Sequence, residues 1–365
     1  MSRFIVLAGP TLDRALGLVR LGLLSANPSS VRKLERGECS ASMALVESIR
    51  NSAETPPELK LLLDPRASEP VHLYVPNMRD AHRGRIVCHV LGQTYPAGSF
   101  FELCPYVLVP SWKLYFLVRC RSMPVLSDRL MLGMELCGTY SHVVVGNRLS
   151  AAFYGKAHRD AEGKLACSWK APRISPALTL SDIEGYLAEA AGITGVKRAR
   201  ECARHLREGS ASPGESVLAL MATLPCALGG YGFRDMQLNP KLPVPKEKRH
   251  LTRFDSFHPD GFLRQLATDL EYESGAFHTS KRAIARDKAR RNDIQALGIE
   301  VKDVTWEMLS HLDSLDLLFE QLLDKERSLG LDPTGRHRRA VHNPNHRAQR
   351  RIRLQELLPP WPYEA

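Results

Sequence analysis

The chain has 365 residues, of which 44% are hydrophobic and 25% charged, a composition that excludes disordered, collagen-like and fibrous classes. At roughly 100–200 residues per domain, the length predicts two or three domains with cores of their own. Fifty Lys and Arg against forty Asp and Glu leave a net charge of +10, a balance that suits a polyanionic partner.

The N-terminal 70 residues read as helical, with ALGLVRLGLL at 15–24 and ASMALVESIRN at 41–51 as amphipathic segments. Arg14 and Arg20 break the best apolar window, so neither a membrane span nor a membrane partner is expected. The N-terminus has no signal-peptide layout. Eight cysteines (39, 88, 104, 120, 137, 167, 202 and 226) form no CxxC pair, which argues against a zinc ribbon or a disulfide scaffold and predicts a cytoplasmic protein. From 71 to about 118 the runs VHLYV, RIVCHV, FFELCPYVLV and KLYFLV predict strands of a small sheet. Helices are expected from Ser127 through LMLGMEL, from a capping box Ser181–Glu184, and over ITGVKRARECARHLREG, closed by Gly209. Residues 71–208 thus read as an α+β module, with a boundary in SASPG.

Beyond the boundary the spacing predicts a helix over ESVLALMATL, a strand HLTRFDSF, a turn HPDG, a strand FLRQLATDLEYES, a basic helix over 281–297, a strand IEVKDVT and a helix over 306–324. That order predicts a mixed sheet with helices on its faces, hence an α/β protein, α+β overall. Residues 326–365 read as a basic tail, because 331–355 hold seven Arg and one acid, Asp332. Such an arm attracts phosphate backbones without reading sequence; a solvated, unstructured tail is the plainer alternative.

Chemistry concentrates at 251–306. Glu271 and Glu273 share one face of a strand by their period of two. Asp255 on the neighbouring strand is expected to reach that face, giving a carboxylate cluster of the type that holds Mg²⁺ or Mn²⁺ through hard oxygen ligands. A bound divalent ion polarises phosphate and acidifies a coordinated water, the chemistry of phosphodiester cleavage. His278 follows in a short loop, and the next helix carries Arg282, Arg286, Lys288, Arg290 and Arg291, positive charge that suits a polyanionic substrate.

A strand Asp, a turn, E-Y-E, a nearby His, then RDxxRRNDxxALG and VxxVT is an order that resembles the PD-(D/E)XK nuclease superfamily, in the branch similar to very-short-patch repair endonucleases of bacteria. The resemblance covers about 210–325. It implies a metal-dependent DNA endonuclease with a restriction-endonuclease-like mixed sheet. It further implies Asp255 and Glu271 as metal ligands, Glu273 at the third motif position, and His278 as a catalytic residue. Asp287 and Glu215 would be supporting acids. The third position is normally Lys, so Lys281 or Lys288 would have to stand in for it. Asp260 gives a more typical interval to Glu271, but Asp255 is preferred because Asp260 lies in the turn sequence HPDG itself. Arg338, Arg339, Arg350 and Arg351 of the arm join the helix cations as expected DNA contacts.

The same residues have plainer uses. Glu215 follows Ser212 at capping-box spacing with Pro213 at the first helical position. Glu271 and Glu273 could serve as charges on an edge strand, and Asp287 as the ion-pair partner of Arg290 or Arg291. No Walker loop, GxSxG, HExxH or dinucleotide fingerprint is present. The runner-up function is a DNA-binding regulator, antitoxin-like, that keeps the nuclease fold without catalysis.

Overall fold

The structure, a computed structural model, describes residues 4–64, 67, 69–80, 84–145, 148–153, 157–159, 165–167, 173–273 and 281–359. The chain divides into two compact units, one built from residues within 1–125 and 139–204, the other from 126–138 and 205–361. The fold is α+β, with mixed sheets flanked by helices. No described helix is long and apolar enough to cross a membrane.

In the first unit the strands Ile5–Val6, Val107–Pro110, Phe100–Cys104 and Asn27–Ser29 form one sheet in that order. The first pair is parallel and the other two antiparallel. Val71–Val75 and Ile86–Val90 make a separate parallel pair. The N-terminal stretch is therefore not purely helical, because Ile5 and Val6 are fully buried as strand residues. KLYFLV is likewise not a strand but lies inside the helix Trp112–Ser122. The capping box expected at Ser181 sits two residues earlier: Thr179 accepts from the Asp182 N–H, and Asp182 reaches back to the Thr179 N–H.

The second unit begins with α1 (Leu126–Leu136), which belongs here and not with the chain around it. Then come α2 (Pro213–Thr223), β1 (Met236–Leu238), β2 (Gly261–Leu263), β3 (Thr268–Glu273), α3 (Lys281–Ala296), β4 (Glu300–Thr305) and α4 (Leu312–Ser328). Ser212 caps α2 through its hydroxyl, and Pro213 opens the helix with a φ already set. The four strands form one mixed sheet in the order β1-β2-β3-β4, antiparallel up to β3 and parallel between β3 and β4, with α3 as the crossover. Val244, Phe257, Ile294 and Leu297 form an apolar cluster that seats the C-terminal half of α3.

Two expectations fail here. The run FLRQLATDLEYES is not one strand, because a turn over 264–267 folds it into the β2–β3 hairpin. The Arg-rich arm is not a tail either: it forms α5 (Arg336–His342) and α6 (Pro344–Leu357), both part of the second unit. Its arginines meet acids of α4. Arg338 pairs with Glu320 and Asp324, and Arg347 pairs with Asp313 and Asp316.

Arg350 is 1% exposed, pairs with Asp316 at 3.0 Å, donates to the Val341 carbonyl and lies 4.0 Å above the Tyr231 ring. Tyr231 donates its hydroxyl to the same Asp316 at 2.7 Å and stacks on Phe319. Removing one partner of a buried pair leaves the other charge uncompensated, so Arg350→Ala is expected to destabilise the protein by about 3–5 kcal/mol. Urea denaturation checks it. A change under about 1 kcal/mol would mean the arm is only loosely docked.

Candidate functional site

Strand β3 runs between β2 and β4, a position where carboxylates are unfavourable, yet it reads Thr-Asp-Leu-Glu-Tyr-Glu. Alternation puts Asp269, Glu271 and Glu273 on one face. They grade from fully buried Asp269, through Glu271 at 18% side-chain exposure, to Glu273 at 59%. Among the described residues, neither Asp269 oxygen meets an N–H or O–H donor. It faces the carboxyl group of Glu271, and a hydrogen bond between the two exists only when one of them holds a proton. Burial pushes the Asp269 carboxyl up to about 9, with the charges of Glu271 and then Asp260 adding to the effect.

Asp260 joins this group because the hairpin pairs Gly261 with Leu270, which brings the Asp260 carboxylate onto the Tyr272 N–H at 2.9 Å. Asp255 does not join it. Asp255 is exposed, its carbonyl accepts from the Val244 N–H, and it adjoins the small ladder of Leu242–Pro243 with Ser256–Phe257. The expected assignment of Asp255 is therefore corrected to Asp260. The reason is the position of the hairpin, which closes at 264–267 and not at HPDG.

The cations are also arranged differently from expectation. Arg290 donates to Glu271 at 3.0 Å and to the His258 carbonyl at 3.0 Å. Arg291 makes a two-pronged pair with Asp303 and stands 4.0 Å from Glu273. Both are the cations expected to meet phosphate, and in this structure both pair with acids of the sheet. Lys288 is exposed. His278 lies outside the described residues, as do the side chains of Lys281, Arg282, Arg286 and Asp287.

Within the arm, Arg350 is buried, Arg338 is held by two acids, and Arg339 donates to the Thr334 carbonyl. Arg339 and Arg351 are the exposed ones of the four, and neither has an acid at ion-pair distance among the described residues. Glu215 is 6% exposed and takes hydrogen bonds from the Ala211 N–H, the Asn239 amide and the Ser212 hydroxyl. It ties the start of α2 to the end of β1, which corrects its expected place as a supporting active-site acid.

Among the described residues, no group of three or more His, Cys, Asp and Glu is arranged around a metal position. The Asp269–Glu271 pair still has the donor chemistry for a hard cation: two carboxyl groups converge, and one is buried without any donor. Mg²⁺ is commonly held by one or two carboxylates, with water and phosphate filling its other positions. In comparisons with known proteins, no family model, no curated protein and no solved structure matches the chain.

Sequence reasoning missed Asp269. Its signal was an aspartate two positions before Glu271 inside an apolar strand, where burying a carboxylate is unfavourable without compensation. Folded Asp269 keeps its proton up to about pH 9, whereas its unperturbed value is 3.8. The folded state therefore binds more protons between these values, and this group's contribution to stability is lost as pH rises through that window. Asp269→Asn remains neutral, so in metal-free buffer its melting temperature should exceed that of wild type by a margin that grows from pH 5 to pH 8.5. Parallel curves over that range would show that Asp269 ionises normally.

Proposed function

We propose that the second unit is a divalent-metal-dependent nuclease that hydrolyses phosphodiester bonds of nucleic acid, DNA before RNA. The observation that carries this reading is the buried Asp269 carboxyl, without a hydrogen-bond donor among the described residues, against Glu271 on an inner strand. Two further features support it. The unit has a mixed sheet flanked by helices, the kind of fold implied by the resemblance to PD-(D/E)XK nucleases, and Pro259-Asp260 precedes Glu271-Tyr-Glu273 across a hairpin.

Asp269 and Glu271 would hold the metal, with Asp260 adding negative charge beside them. A bound Mg²⁺ or Mn²⁺ supplies charge that polarises phosphate and lowers the pKa of a coordinated water. To hold a cation, Asp269 would have to give up its proton. Glu273, exposed at the end of β3, orients water, and His278 serves as proton shuttle or phosphate contact. Arg290 takes the role of the absent motif Lys, because its guanidinium already stands at Glu271, where it can stabilise developing phosphate charge.

A second reading, a DNA-binding regulator without catalysis, is favoured by one observation: Arg290 and Arg291 neutralise Glu271 and Asp303 with no metal needed. Incubating purified protein with plasmid, linear and single-stranded DNA and with RNA, under Mg²⁺, Mn²⁺ or EDTA, separates the two. Metal-dependent cutting is expected, lost by orders of magnitude in Glu271→Gln and Asp269→Asn and retained in Asp255→Asn. Protein that binds DNA but never cuts it under either metal would move the assignment to the regulator.

A further inference from the structure

Several arginines of the second unit are compensated by acids, whereas three that are not are grouped together. Arg290, Arg291, Arg338, Arg347, Arg350 and Arg353 all reach carboxylates. Arg207, Arg234 and Arg264 have no carboxylate at ion-pair distance among the described residues. Arg207 donates to the carbonyls of Leu206 and Arg234. Burial, and then the charge of Arg234, push its guanidinium below the ordinary arginine value. One arginine is thus held against another with no anion between them.

The other two flank an open cleft. Arg234, Asp235 and Gln237, at the start of β1, face Arg264 and Gln265 of the hairpin turn across a space of about 620 Å³. A second hollow of about 210 Å³ shares Arg234, Asp235 and Gln265 and adds Glu326. The acids here are occupied: Asp235 accepts the Gln265 N–H at 2.8 Å, tying one lip of the cleft to the other, and Glu326 pairs with His337. What the cleft offers is two exposed guanidinium groups and two amide side chains, donors in a geometry suited to phosphate oxygens.

We propose that this cleft binds the phosphate backbone of nucleic acid, as a subsite beside the acidic cluster. Naming nucleic acid as the polyanion rests on the nuclease reading. The three residues of β2 lie between Asp260 and Arg264, four steps along the chain and a span of about 13 Å at roughly 3.3 Å per residue. A backbone lying in the cleft therefore runs about four nucleotides from the acids, taking roughly 3.4 Å per nucleotide along one strand.

The test uses the full chain, a labelled DNA duplex and EDTA, with fluorescence anisotropy over a series of salt concentrations. The double variant Arg234→Glu/Arg264→Glu should bind at least about tenfold more weakly at low salt, with a log–log salt slope shallower by about two. Lys241→Glu, an equally exposed cation outside the cleft, should bind like wild type, and circular dichroism melts confirm that each variant is folded. Equal loss in Lys241→Glu, an unchanged slope in the double variant, or a wild type that binds heparin but no nucleic acid would each overturn the assignment. Cleavage assays on the same proteins separate the two claims. Metal-dependent cutting with unchanged affinity in the double variant would sink the cleft and leave the nuclease, whereas lost affinity in a protein that never cuts would sink the nuclease and leave the cleft.

Discussion

The turn at 264–267 decides what the second unit can do, because it sets the register in which β2 meets β3. Ala267 takes a left-handed φ of +46°, its N–H closes the turn on the Arg264 carbonyl, and its own carbonyl accepts from the Glu300 N–H of β4. A shift of one residue would send Asp269 and Glu271 to the opposite face of the sheet. That face is already filled: Tyr272 packs so closely on α2 that a Cβ on Gly214 would collide with its ring. One register thus places Asp260 beside Tyr272, buries Asp269 against Glu271, and sets Arg264 and Gln265 across from Arg234 and Asp235. The acidic cluster and the basic cleft are two consequences of a single hairpin.

Charge in this unit is sorted by burial more than by sign. Exposed ion pairs contribute at most about 1 kcal/mol each, and many of the arm's arginines make contacts of that class. Arg350 is different, because its surroundings exclude water and its partners are shared: Asp316 takes Arg350, Arg347 and the Tyr231 hydroxyl together. A surplus of +10 in the sequence therefore overstates the cationic surface. Much of the Arg-rich arm is consumed in holding α5 and α6 to α4, while Arg234 and Arg264 at β1 and the hairpin turn have no carboxylate at ion-pair distance among the described residues.

How much of this was legible in the sequence depended on whether the local signal matched the physical cause. Ser212-Pro213 with Glu215 announced α2, Gly298 announced the end of α3, and the alternation in IEVKDVT announced β4. The hairpin was hidden because Arg-Gln-Leu-Ala contains none of the residues that favour a turn, while HPDG nearby contains several. Mistaking one for the other exchanged Asp260 for Asp255. The fate of the arm, by contrast, was readable in retrospect. Asp313, Asp316, Glu320 and Asp324 recur at three- and four-residue intervals along α4, an acidic stripe of the spacing that one helix face presents.

Asp269 and Glu271 fold side by side because each has its own compensation, which a cation would have to replace on the proposed reading. Asp269 has a proton, held there by burial and by Glu271, and Glu271 has Arg290 at 3.0 Å. A divalent ion would carry twice the charge of Arg290 and would attract the carboxylates more strongly than a single charge does. Against this stand the reluctance of Mg²⁺ to shed water and the release of the Asp269 proton, which becomes easier as pH rises. Arg290 need not leave the site when displaced, because its second hold on the His258 carbonyl keeps the guanidinium at the rim. On the proposed nuclease reading, the residue that balances Glu271 here would be the one placed to meet phosphate if a metal were held by the acids.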